Sequence, residues 1–421
     1  MYVKSKLSNL TSSVLSSLVL LNTERNSLSD ILDWIRIQNE SILVKVDQIH
    51  FKDLSLWKFN EASLVHESGK FFSIDGIQVK TDYGKIHEWE QPIINQPEVG
   101  YLGFITKEFN GVLHFLLQAK IEPGNINYVQ LSPTLQATKS NYSQVHKGKK
   151  PAYLDYFQNV KSDCILLDQL QSEQGARFLK KRNRNIIIKV EGEIPILNNY
   201  TWVTLGQIKA LMRHDNVINM DTRTVISGIP LDDIFNNSKD SVHYASMTPL
   251  GNKWVKSYIG SDNALLTLSE IISLVTHYKT SFELEVKKVN LLEISEWKVR
   301  PDEICHAEKK FFKVIAANIQ IDNREVVKWS QPLIQPLQEG LCAFIVKEIN
   351  GILHFIVQAK LECGNFDVIE FAPTVQCLTG NYDNENSKSR LPFLDYALNA
   401  RPCLLYTSDA ADDSLRVDLG G

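Results

Sequence analysis

A segment of 54 residues occurs twice in this chain, and that duplication limits the folds open to it more than any other feature. "WEQPIINQPEVGYLGFITKEFNGVLHFLLQAKIEPGNINYVQLSPTLQATKSNY" at 89–142 returns as "WSQPLIQPLQEGLCAFIVKEINGILHFIVQAKLECGNFDVIEFAPTVQCLTGNY" at 329–382. Of the 54 positions 25 are identical, without a gap, at a constant offset of 240. The same offset carries Trp57 onto Trp297 and the "LDY" of 154–156 onto that of 394–396. A domain duplicated in tandem follows, in keeping with 421 residues, more than one ordinary core holds.

A helical pattern over 28–39 maps onto "LTLSEIISLVTHY", so each unit opens with a helix and continues in strands, an α/β (α+β) pattern. The first unit runs over 27–240 and includes a second helix at "LGQIKALMRH". Polar "NNSKDS" at 236–241 leads into a linker over 241–264. The second unit runs over 265–402 and is read as truncated. Its parallel with the first unit is lost near residue 402, and 403–421, "CLLYTSDAADDSLRVDLGG", reads as a non-native, adapter-derived tail without a structural role. Residues 1–26 form a lead segment. Its apolar run is too short to span a bilayer and has no clear cleavage site, so it reads as an amphipathic helix.

A formal charge of −4 gives no basic excess for nucleic acid or an anionic membrane, and "KGKK" at 147–150 is short enough for a loop tip. Cys164, Cys305, Cys342, Cys363, Cys377 and Cys403 show neither zinc nor disulfide spacing, which indicates reduced thiols in a cytoplasmic protein.

The stretch "GVLHFLLQAKIEPGN" at 111–125 predicts a strand. At period two Leu113, Phe115, Leu117, Ala119 and Ile121 share one face, and His114, Gln118, Lys120 and Glu122 share the other. That second row is either a solvated sheet face or a site. It recurs in the second unit as His354, Gln358, Lys360 and Glu362.

"GKFFSIDGIQVKT", "EWEQPIINQPEVGYLGF", "QAKIEPGN", "VQLSPTLQATKSNY", "LQSEQGARFLKKRNRN" and "NVINMDTRTV" together resemble the sugar-nucleotide 2,3-dehydratases, over nearly all of the first unit and the surviving part of the second. The resemblance implies two repeats of a Nudix-like mixed-sheet fold and a homodimer. The activity it implies is loss of water from a dTDP-4-keto-6-deoxyhexose to give a 3,4-diketo-2,6-dideoxy sugar. It calls for no cofactor and no metal.

That chemistry needs a base at C3, a donor for the charge that develops on O4, and an acid for the departing C2 hydroxyl. His114 and Glu122 are candidate proton carriers, Lys120 is a candidate cation, and Tyr142 either stacks, donates a proton or packs. Gln118, Asn125, Gln136 and Asn141, from the same motifs, are candidate substrate-binding residues, as are Arg177 and Arg184 in the densest cation run of the chain. Tyr382 is the second-unit counterpart of Tyr142. In "NMDTRTV", read as extended, Asp221 and Arg223 fall on one face as an internal ion pair or as substrate contacts. Trp57, Trp89, Trp297 and Trp329 read as core or repeat-interface anchors. Two other readings compete: a nucleotide-sugar binding module without catalysis, and a nucleotide pyrophosphatase, whose magnesium-binding glutamate helix (G-x5-E-x7-R-E-x-x-E-E) is missing from this sequence.

Overall fold

The computed structural model describes residues 2–142, 150–236, 249–322, 326–379 and 391–400, and the chain is a mixed α+β protein built on several sheets. Several of its helices begin where short polar side chains satisfy the first free amides. Ser27 and Asp30 form a capping box on Leu28–Ser41, and Thr267 and Glu270 form the same box on Leu268–Ser281, 240 residues later. Thr204 and Gln207 cap Leu205–Leu211, the helix expected at "LGQIKALMRH". The lead segment is helical over Tyr2–Val19 and buries Val14 and Leu15. It is fastened where the Leu205 amide donates to Ser17 Oγ at 2.8 Å. Among the described residues no helix is long and apolar enough to cross a membrane, and the five described cysteines are free thiols.

The largest sheet has seven strands. Ile165–Ser172, Arg182–Lys189, Gly100–Phe109, Val112–Ile121 and Tyr200–Thr204 lie in that order, with Val129–Ser132 and Leu135–Ala137 pairing at one end. Only Arg182–Lys189 and Gly100–Phe109 pair in parallel. One face packs Leu113, Phe115, Leu117, Ala119 and Ile121 against helices that supply Ile31, Ile35, Ile208 and Val225. The other packs Leu116 with Ile186, Leu154, Phe157 and Trp202. Both faces are therefore dry over most of their length, and the polar row of Val112–Ile121 is not a solvated surface.

The two smaller meander sheets exchange strands. Val44–Ile49 pairs antiparallel with Phe312–Ile321 of the second repeat, Val44 opposite Ile321. Leu284–Val289 pairs with Ser73–Thr81 of the first, Leu284 opposite Thr81. Shifting either pairing by 240 gives the other, so each repeat lends its first strand to its neighbour in one register. A single apolar cluster seals the seam, with Phe51, Trp57, Leu64 and Ile74 from one side and Leu291, Trp297, Ile304 and Phe312 from the other. Trp57 and Trp297 are the seam anchors. Trp89 and Trp329 are half-buried and donate to Gln91 and Gln331 at 3.0 and 2.9 Å.

In the second repeat Ile345–Ile349, Ile352–Lys360 and Glu370–Pro373 form a three-stranded sheet, and Gly340–Ala343 pairs with Val375–Leu378. Among the described residues it carries no counterpart of Arg182–Lys189 or Tyr200–Thr204. Phe115 and Leu117 are 1% and 0% exposed, whereas their counterparts Phe355 and Val357 are 37% and 46% exposed.

Candidate functional site

The polar row of strand Val112–Ile121 divides into two environments. His114 lies at the apolar end, buried, with its ring edge-on to Phe109 at 5.2 Å. Its Nδ1 donates to the Val112 carbonyl at 3.0 Å, and Nε2 has no hydrogen-bond partner among the described residues. Burial, then the nearby Arg25, hold its pKa below the ordinary histidine value and outweigh the carbonyl contact. Six residues of extended chain, roughly 20 Å, separate it from Lys120. The structure does not bring His114 to the other candidate catalytic groups. Gln118 is half-buried between the two ends.

At the other end Lys120 Nζ lies 2.8 Å from Glu122 Oε1, and the two side chains are 11% and 10% exposed. The ammonium also approaches the Gln136 carbonyl at 3.4 Å, and Gln136 Oε1 accepts from Asn219 at 3.4 Å. Asn125 shapes the turn after Glu122, its amide donating to the Glu122 carbonyl at 3.0 Å and its side chain to the Tyr128 carbonyl at 2.8 Å.

Three further ionisable groups belong to this cluster. Glu173, which follows strand Ile165–Ser172, accepts from Asn183 at 2.5 Å, and burial raises its pKa against that bond and the Lys181 charge. Lys181 donates to the Glu98 carbonyl at 2.7 Å, and burial lowers its pKa. Asp221 is pushed up to about 7, first by burial and then by the Glu173 charge, with Lys120 opposing and Glu122 adding to the rise. Asp221 is half-buried, so water still reaches it. Two ammonium groups thus stand among three carboxyls, one of which titrates near neutrality and can give or take a proton.

Asp221 corrects the reading of "NMDTRTV" as extended. Asn219 accepts from the Thr222 amide at 2.8 Å and starts a helix, Met220–Ser227. Two residues apart on a helix, Asp221 and Arg223 point in different directions. Arg223 turns back to the Ile218 and Met212 carbonyls at 3.3 and 3.4 Å. Glu173 was not among the candidate site residues, Lys181 entered only as part of the cation run, and Asp221 was read as an ion-pair partner or substrate contact beside Arg223 rather than as a proton carrier beside Lys120; all three lie inside the motifs that carry the resemblance.

The remaining candidates are dispersed. Arg184 is engaged by Asp168, with Nε to Oδ1 at 2.7 Å and a second nitrogen to Oδ2 at 2.6 Å. Tyr142 packs edge-on to Tyr101 at 5.6 Å, its pKa raised mainly by burial, and the Asn141 amide donates to Thr138 in the same turn. In the second repeat Lys360 lies 3.0 Å from Glu362 and 3.4 Å from the Gln376 carbonyl. There His354 accepts from the Leu265 amide at 3.1 Å, and Gln358 donates to the Pro373 carbonyl at 2.8 Å. Tyr382 and the positions equivalent to Glu173 and Lys181 lie outside the described residues. Arg177 sits beside Glu362 of the second repeat. Among the described residues no three His, Cys, Asp or Glu side chains converge as a metal site.

The family model for NDP-hexose 2,3-dehydratase matches residues 28–229 and again 268–416. A dTDP-4-dehydro-6-deoxy-alpha-D-glucopyranose 2,3-dehydratase of Saccharopolyspora spinosa is 45% identical over 361 residues, 85% of this chain and 73% of that protein. Proteins of the same name from Amycolatopsis orientalis and Streptomyces violaceoruber are each 39% identical, over 88% of this chain and 75% and 80% of their own lengths.

Proposed function

This chain belongs to the NDP-hexose 2,3-dehydratase family, and we propose that its first repeat carries out the reaction with Lys120, Glu122 and Asp221. The enzyme is a hydro-lyase that removes water from dTDP-4-keto-6-deoxyglucose. The C4 ketone acidifies the C3 proton, so the step needs proton carriers and a place for negative charge. A carboxylate takes the C3 proton, and the electron pair moves through C3–C4 onto O4. The pair then returns to form C2=C3 as the C2 oxygen leaves, protonated as water. The resulting enol takes a proton at C2, gives up the proton on O3, and becomes the 3,4-diketo sugar.

Lys120 is the cation for the charge on O4, worth on the order of 10²-fold in rate. Asp221 and Glu122 move the protons, and Glu173 and Lys181 set the charge around them. The single observation that carries this assignment is that Asp221 lies within the electrostatic reach of the Lys120–Glu122 pair, whose two side chains are about nine-tenths buried. The Gln136 carbonyl holds the Lys120 ammonium, and Asn125 shapes the turn that follows Glu122. The same reading takes 27–240 and 265–402 as two Nudix-like units, supported by the constant offset, the matching capping boxes and the Lys–Glu pair in each. It takes the working form as a cytoplasmic homodimer.

The test is to incubate the protein with dTDP-4-keto-6-deoxyglucose and follow loss of one water by mass, for the wild type and for Asp221→Asn. Turnover by the wild type and its loss in a folded Asp221→Asn protein are expected. Undiminished turnover in that variant removes Asp221 from the mechanism.

A further inference from the structure

Loop 173–181 has both ends in the first repeat's site and its tip on the second repeat. At its base the Glu173 amide donates to the Lys181 carbonyl at 3.0 Å, and Asn183 donates to the Glu173 carboxylate at 2.5 Å. From there the Glu173 charge acts on Asp221, and the Lys181 side chain is buried within its field. At its tip the loop meets the second repeat's turn "ECGN", 362–365, that follows Lys360. The Gly364 amide donates to the Gly175 carbonyl at 2.7 Å, and the Lys180 amide donates to the Gly364 carbonyl at 2.5 Å. So close an approach of two backbones needs glycine on both sides. A Cβ on Gly364 would meet the Phe178 carbonyl at 1.9 Å, and one on Gly175 would meet Asn365 Oδ1 at 2.1 Å.

Two side-chain contacts lead from the second repeat back to the base of the loop. Ser172 Oγ, next to Glu173, donates to Glu370 at 3.1 Å. Arg182, between Lys181 and Asn183, has its guanidinium 4.0 Å from the centre of the Phe366 ring, and its Nε has no hydrogen-bond partner among the described residues. The aromatic face is what holds this head group. The first repeat carries Ile126 at the position equivalent to Phe366, so the turn itself does not require a ring there. The loop's own repeat secures one side of it, where Phe178–Leu179 pairs with Ile94 and Asn95. The second repeat secures the other. Loops with few such contacts open locally, and opening this one would admit water to Glu173 and Lys181.

We propose that the second repeat's turn 362–366 is a positioning element of the first repeat's site, in which Gly364 and Phe366 hold Glu173 and Lys181 in place through loop 173–181 without touching substrate. The proposal rests on the reading of the first repeat's site as catalytic. It gives the second repeat a part in the first repeat's reaction that needs no chemistry of its own.

The test is steady-state turnover of dTDP-4-keto-6-deoxyglucose by the whole chain, with amide hydrogen exchange at Glu173 measured beside it. Wild type, Gly364→Ala, Phe366→Ala, Phe366→Tyr and Phe344→Ala are compared. Gly364→Ala and Phe366→Ala are expected to lower kcat about tenfold or more and to change KM less than about twofold, because charges displaced around the proton carriers act on the transition state. In both, the Glu173 amide should exchange roughly tenfold faster than in the wild type. Phe366→Tyr keeps the ring face and should behave as wild type in both measurements. Phe344→Ala removes a second-repeat ring that packs on Phe355 and not on the loop, and it should leave both unchanged. Wild-type exchange in folded Gly364→Ala and Phe366→Ala overturns the proposal. So does faster exchange with wild-type kcat, or a kinetic loss in Phe344→Ala as large as that in Phe366→Ala. Should Gly364→Ala fail to fold, the two Phe366 variants decide. Absence of turnover in the wild type would sink the catalytic reading of the first repeat's site, and the exchange measurement would still decide whether the turn holds the loop.

Discussion

Replacing Asp221 by asparagine should make the protein more stable and less active, and the stability gain should grow with pH. In the unfolded chain the carboxyl has an ordinary value near 3.8, and in the folded protein it stands at about 7. Below pH 4 it is protonated in both states and does not distinguish them. As pH rises the unfolded chain ionises first, so the folded state progressively loses stability until the pH has passed about 7. A rise of that size corresponds to roughly 4 kcal/mol at full ionisation. Asp221 still touches water and shares its field with Glu173, Glu122 and Lys120, so about 2 kcal/mol is the working figure. Urea denaturation of wild type and Asp221→Asn at pH 5 and pH 8 measures it. The variant should gain about 1 kcal/mol over the wild type between those pH values, the rest of the difference being present already at pH 5, while turnover falls on the order of 10²-fold or more. A stability difference that does not change with pH would refute the claim that burial and neighbouring carboxylates hold the Asp221 proton.

Lys120→Met should keep the melting temperature near that of the wild type and lower turnover on the order of 10²-fold, read by the mass assay; full turnover in a folded variant would leave O4 without this cation. His114 should titrate below an ordinary histidine in an NMR titration, and His114→Gln should lower stability while reducing turnover less than roughly tenfold; a larger kinetic loss in a folded protein would return His114 to the site. Leu117→Ala should destabilise by about 2 to 5 kcal/mol, whereas Val357→Ala, at the half-exposed counterpart, should cost under about 1 kcal/mol in the same denaturation assay. Residues 27–240 expressed alone should be poorly soluble, because Ser73–Thr81 loses its partner Leu284–Val289, and co-expression with 249–421 should restore solubility.

Much of the local structure was legible in the sequence, because it follows from short-range chemistry. Ser27 and Asp30, like Thr267 and Glu270, sit at the spacing that caps a helix whatever lies beyond it. The alternation in "GVLHFLLQAKIEPGN" specifies a strand, and the 240-residue offset specifies its copy. The Lys120–Glu122 pair was legible too, since same-face neighbours on a strand lie within ion-pair reach. Asp221 was not, because the cap at Asn219 turns a segment that reads as extended into a helix and moves Arg223 away.

Other features were decided only by the tertiary structure. Period two says that two faces differ but not that both are covered, so it could not place His114 in an apolar layer and Lys120 in a charged one. The strand exchange is invisible along the chain for a stricter reason. Thr81 and Ile321 occupy the same position in two copies of one sheet, so Val44 meets a matching edge in either repeat, with the same register and pleat. Local sequence cannot choose between two equivalent partners. The links between repeats and the seam around Trp57 and Trp297 choose, and they also carry Arg177 from its own repeat to the turn of the other.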